Sequence, residues 1–246
     1  MVVALPLLLS ASPALSAEIP FDLETDSLCF LNFDPELATM GLLGKLGAKK
    51  GICQGIAGTA AAFLENVEFD PSGEKPASER QARGLVRDAI RLHKRGCGDR
   101  VRIPGYSSLN ELCRDHRRMF LKRSLYYNAD IALHEILAVL PRFLIHKAKP
   151  VTKRPDRLRI HRALESIERD LEAGRAPLLM YYSHVVLVHA LRYEASDGRV
   201  ARAVLDVYDS NVDYPRRWTV EYGADGLPAP GNRMIWNVTP SRGSCR

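Results

Sequence analysis

After its first residues the chain has no uninterrupted apolar run long enough to cross a bilayer, no internal repeat and no low-complexity tract. That excludes a bundle of membrane spans, a solenoid and a disordered tract. There is no His-Glu-x-x-His helix and no pair of cysteines at zinc spacing, so neither a metal nor a cofactor is expected. Aromatic residues make up only 7%, and they do not interleave with the basic ones. A stacking groove for nucleic acid is therefore not expected either. Cysteine is scarce at five, an odd number that cannot all pair within one chain.

What remains is ordinary globular composition: 246 residues, 46% hydrophobic and 26% charged. A chain of this length buries roughly 70–75% of its unfolded surface, enough for one large domain or two closely packed lobes. Lys and Arg number 35 against 29 Asp and Glu, a net charge of +6 that favours anionic partners without specifying one.

Residues 2–15 are apolar and then small, ending ahead of Glu18, and read as the core and cleavage region of a secretory signal over residues 1–17 cut after Ala17, although the usual basic start is missing. The expected location is secreted or periplasmic, where disulfides persist. From Cys53 to about Phe69 the chain is small and apolar almost all round, the pattern of a buried helix. Ser78 with Gln81, and Ser108 with Glu111, are capping signals, the first for a helix stopping at Gly96. The second helix is expected to run past Met119, a third from Asn128 to Pro141, and a fourth from about Asp156 to Ala173.

After Pro177 the residues become β-branched, aromatic or alternating, and Ser196-Asp197-Gly198-Arg199 is a hairpin turn. The predicted fold is α+β: a helical lobe over 18–175 and an antiparallel β lobe over 176–246.

A thiolate is stabilised at a helix N-terminus, where unpaired N–H groups and the helix dipole face it, and Cys53 stands at such a start between Gly51 and Gly55. Strict strand alternation places His189 and Asp209 on one face near the same end of the predicted hairpin. There the carboxylate orients the imidazole and the imidazole takes the thiol proton. A different register or a bulge would instead set His184 opposite Asn211 or Asp209, which keeps His184 as an alternative base and Asn211 as an alternative orienting group. His93, His116, His134, His146 and His161 lie on predicted helices as surface or partly buried residues.

The order of Cys53-Gln54-Gly55-Ile56, His189-Ala190 and Tyr208-Asp209-Ser210-Asn211 resembles that of the papain-like cysteine peptidases, in particular a divergent bacterial secreted group. The resemblance implies a two-lobed fold with the site in the cleft, covalent thiol catalysis on a peptide or protein substrate, and Cys53, His189 and Asp209 as nucleophile, base and orienting acid. Gly47 stands six residues before Cys53, where the familiar pattern has a glutamine for the oxyanion. The alternative is a non-catalytic exported binding protein that uses a basic helical surface. If Cys53 is the nucleophile, Cys29, Cys97, Cys113 and Cys245 can pair in three ways. Cys97 with Cys113 is the local one, leaving Cys29 with Cys245.

Overall fold

Capping residues and glycines set the element boundaries of the chain, seen in a computed structural model that describes residues 16–127, 157–181, 184–229, 235–237 and 239. The N-terminal part carries strand β1 (Ser16–Glu18), helix α1 (Leu23–Asp26), a 3-10 turn (Pro35–Thr39), and helices α2 (Gly41–Lys50) and α3 (Cys53–Asn66). Next come β2 (Val67–Asp70), α4 (Glu79–Arg95), β3 (Val101–Pro104), α5 (Leu109–Asp115) and a helix α6 over 117–127. After α7 (Arg157–Glu172) follow β4 (Leu178–Tyr181), β5 (His184–Ser196), β6 (Arg199–Tyr208), β7 (Arg216–Glu221) and β8 (Ile235–Asn237).

The side chain of Ser78 accepts the Gln81 N–H while Gln81 Oε1 accepts the Ala77 N–H, and Gly96 closes α4 in the left-handed region at φ 64°. Ser108 caps α5 in the same way. Asp197 and Gly198, both at positive φ, form the two-residue loop between β5 and β6. Two expectations change. The helix begun at Ser108 breaks at His116, whose ring bonds the Tyr106 hydroxyl at 3.1 Å, and resumes as α6. The buried helix stops at Asn66, because the Asn66 amide bonds the carbonyls of Cys97 and Asp99 and the chain continues as β2, parallel to β3. The helix expected from Asn128 to Pro141 with His134, as well as His146, the leader 2–15 and Cys245, lie outside the described residues.

The sheet runs β7-β6-β5-β4-β8 with every described pairing antiparallel, and β1 joins β5 beyond the end of β4. The proposed cut after Ala17 therefore falls inside β1, where Ala17 is buried opposite Leu191.

Both faces of the sheet are covered. Val185, Leu187 and Tyr208 pack into a core with α3 to α6, whereas Val186, Val188, Leu205 and Val207 pack against Ile160, Leu164 and Ile167 of α7. That explains the unbroken apolar run Val185-Val186-Leu187-Val188, since a strand buried on both sides shows no alternation. Helix α7, which the sequence puts in a helical lobe, belongs to the far face of the sheet. Close packing of α3 on α6 depends on Gly55: a Cβ there would lie 1.8 Å from the Ser124 carbonyl oxygen.

The disulfide pairing differs from the expected one. Cys29 is bonded to Cys113, with Cα atoms 5.7 Å apart, and Cys97 is disulfide-bonded separately. Between Cys97 and Cys113 the chain enters β3 and pairs with β2, which carries Cys113 away from the end of α4 and into the core beside α1. Nearness in sequence is thus undone by one strand. Among the described cysteines, Cys53 is the one that stays a thiol.

Candidate active site

The Cys53 sulfur sits at the first residue of α3. Ile52 precedes it as N-cap and makes no side-chain cap bond. The sulfur is buried and accepts the Val185 N–H at 3.4 Å, which places it beside the start of β5. The residue before Val185 is His184, and its imidazole interacts with the Cys53 side chain. Through Nε2 the same ring meets Asp209 Oδ1 at 2.7 Å.

The structure therefore brings Cys53, His184 and Asp209 together, and sets His189 elsewhere. Two things cause this: the ladder puts His189 beside Asp206 and Val207, short of Asp209, and a bulge takes its ring off the face that Asp209 shares. Along β5 and β6, Val188 faces Val207 but Ala190 faces Asp206, so His189 is the extra residue. Beyond it the alternation changes phase, and the His189 ring stacks on Phe21 at 5.0 Å between centroids. Burial, followed by the like charge of Arg192, holds its pKa below the ordinary value despite nearby carboxylates. Asn211 comes close as well, its Nδ2 lying 3.2 Å from His184 Nε2. Nε2 cannot both donate its hydrogen to Asp209 and accept one from the Asn211 amide, and the shorter, charge-assisted bond goes to Asp209.

Asp209 is 1% exposed but well supplied with donors. Its Oδ1 also accepts the Asn211 N–H at 3.0 Å, and its Oδ2 accepts Arg216 Nη1 at 2.7 Å. Burial alone would raise its pKa; the His184, Asn211 and Arg216 bonds outweigh that and hold it below the ordinary carboxylate value. For His184 burial likewise works against the charged form, and the hydrogen bonds to Asp209 and Cys53 prevail, raising its pKa from 6.5 to about 9.

Because the folded chain binds this proton more tightly than the unfolded one, the associated stabilisation is complete below pH 6.5 and is lost as pH rises to about 9. Its size is up to about 3 kcal/mol. We expect the thermal midpoint to fall across that window by about 5–10 °C, and His184→Gln to flatten the fall. An unchanged slope in that variant would count against the assignment.

Asn32 is the site residue that no sequence pattern announced. It lies 2% exposed in the strap between α1 and the 3-10 turn and joins three parts of the site. Its backbone N–H bonds the Ser210 carbonyl at 2.8 Å, its Oδ1 accepts the Ile52 N–H, and its Nδ2 donates to Asn211 Oδ1 at 2.9 Å. Gly51 makes room for it. The backbone there has φ 80°, and a Cβ would lie 2.5 Å from Asn32 Nδ2, so conformation and space both call for glycine. Arg216 was missed too, since only a surface-patterned Arg-Arg pair marks it in the sequence.

Among the described residues no group of three or more His, Cys, Asp or Glu is arranged to hold a metal ion, and no helix is long and apolar enough to cross a membrane. Compared with protein-family models, curated proteins and solved structures, the chain matches none.

Proposed function

We propose that the protein is a thiol hydrolase of the cysteine peptidase type, with Cys53 as nucleophile, His184 as base and Asp209 as the orienting acid. One observation carries the reading: an imidazole held by a buried carboxylate through Nε2 also interacts with a buried thiol at a helix start. Nucleophile, base and orienter in hydrogen-bonded series are the general requirement for covalent catalysis.

In the proposed cycle His184 takes the Cys53 proton and the sulfur attacks the carbonyl carbon of an amide. The N–H of Cys53 at the start of α3 stabilises the oxyanion. His184 returns the proton to the departing amine as the C–N bond breaks, leaving a thioester on Cys53. Water then attacks it, giving one proton to His184, and the acid leaves as the proton returns to sulfur. Asp209, held ionised by Arg216, keeps the ring in register and stabilises the imidazolium in each half.

The papain-like fold belongs to the same proposal. It is supported by a nucleophile that comes from the helical layer and a base and acid that come from neighbouring strands of the sheet. The Cys29–Cys113 disulfide and the apolar leader support action outside the cytoplasm. Peptide amides and a peptidyl epoxide are the probes. Wild-type protein is expected to cleave the amide and to carry one epoxide adduct on Cys53, while Cys53→Ala does neither. Hydrolysis that survives Cys53→Ala would sink the reading, and a wild type that neither cleaves the amide nor takes the epoxide would leave the non-catalytic binding protein in its place.

A further inference from the structure

Helix α2 is built with its small residues inward. Gly44 and Gly47 are its buried positions: a Cβ on Gly44 would lie 2.1 Å from the Leu37 carbonyl oxygen, and one on Gly47 would lie 2.9 Å from Leu125. The leucines point the other way, with Leu42, Leu43 and Leu46 exposed by 77%, 43% and 48%. A helix serving only to close the core would turn them inward, because burying a leucine is among the larger favourable terms available to a fold.

A cationic strip begins where the leucines end. Leu42 and Leu43 share a groove with Arg118, Lys122 and Tyr126 of α6, and these three continue into a second groove with Arg123. Among the described residues Arg118, Lys122 and Arg123 form no ion pair with a carboxylate. Arg123 is only partly exposed; burial and the like charges of Arg83 and Arg87 disfavour its charged form. Helix α2 adds exposed Lys45, Lys49 and Lys50. A soluble polyanion would use the cations and ignore the leucines, whereas an apolar protein partner would cover the leucines and meet unpaired charge. The juxtaposition matches a bilayer interface, with an acyl boundary for leucine and phosphate headgroups for lysine and arginine.

We propose that α2 and the adjoining face of α6 dock the protein on an anionic lipid bilayer, with Leu42, Leu43 and Leu46 entering the interface and Arg118, Lys122 and Arg123 meeting lipid phosphates. Only Gly51 and Ile52 separate α2 from Cys53, so docking holds the thiol at the membrane surface. The docking itself does not depend on the thiol being catalytic.

The test is co-sedimentation of the full chain with vesicles of phosphatidylcholine alone, or of equal parts phosphatidylcholine and phosphatidylglycerol. Wild-type protein is expected to pellet with the anionic vesicles and to be released by salt. The double variant Leu42→Ser/Leu46→Ser is expected to partition about 100-fold more weakly. Arg118→Ser/Lys122→Ser is expected to partition about tenfold more weakly. The substituted side chains are exposed, and unchanged thermal midpoints verify that the fold persists. In a Leu42→Trp variant the indole emission is expected to shift to the blue on anionic vesicles. Four results would each overturn the proposal: no pelleting with anionic vesicles, equal binding to both vesicle types, leucine variants that bind like wild type, or binding lost only when residues 2–15 are deleted.

Discussion

His184→Ala is expected to lower amide hydrolysis by about 10²–10⁴-fold, the usual contribution of a positioned acid–base group, while His189→Ala leaves it within a few-fold. The two histidines are five positions apart on one strand and differ in what surrounds them. His184 lies between the Cys53 sulfur and the Asp209 carboxylate, with its pKa raised to about 9. His189 stacks on Phe21 and has its pKa lowered by burial, with neither Cys53 nor Asp209 among the groups acting on it. The measurement is steady-state hydrolysis of a peptide amide by both variants, with thioester trapping by mass spectrometry as a second readout. Loss of activity in His189→Ala with His184→Ala near wild type would reverse the assignment. Asp209→Asn is expected to fall between the two, since the amide still bonds the ring but no longer stabilises its charge.

Cys29→Ser with Cys113→Ser is expected to destabilise the fold by about 2–5 kcal/mol, because the bond closes a loop spanning 84 residues and the unfolded chain regains that freedom. The loss extends beyond stability. Cys29 is in the strap that carries Asn32, and besides the disulfide and Asn32's own bonds the strap is anchored by Leu28 N–H on the Tyr208 hydroxyl, by the Asn110 amide on the Ser27 carbonyl and by the ion pair of Arg117 with Asp34. Denaturant unfolding reads the stability change, and hydrolysis at a temperature where the variant remains folded reads the effect on the site. Asn32→Ala is the companion variant. As a positioning residue it should lower kcat more than it raises KM and shift the pH profile through Asn211 and His184, which loss of the strap's packing alone would not do.

Much of this architecture was readable from local chemistry. Caps at Ser78 and Ser108, the stop at Gly96, the turn at Asp197-Gly198 and the position of Cys53 at a helix start all follow from side chains acting within a few residues of themselves. The α+β class was readable for the same reason. What escaped depended on partners far away in sequence. Alternation named His189 because it assumes an unbroken ladder; one extra residue in β5 changed the phase, and nothing local to Val188-His189-Ala190 announces it. Cys97 and Cys113 looked like neighbours until β3 was placed between them. Asn32 is a lone amide in an irregular segment, and only the fold reveals that it spans Ile52 and Asn211.

The bonds that assemble the site are among the longest-range in the molecule. Val185 N–H reaches a sulfur 132 residues earlier, and Asn32 reaches an amide 179 residues later. Such contacts close late, since the loop entropy must be met before they form. Emerging from the ribosome, the chain presents Cys53 well before His184 and Asp209 exist to activate it. A nascent or partly folded copy therefore lacks the thiol–imidazole pair, and the proposed chemistry waits on completion of the sheet.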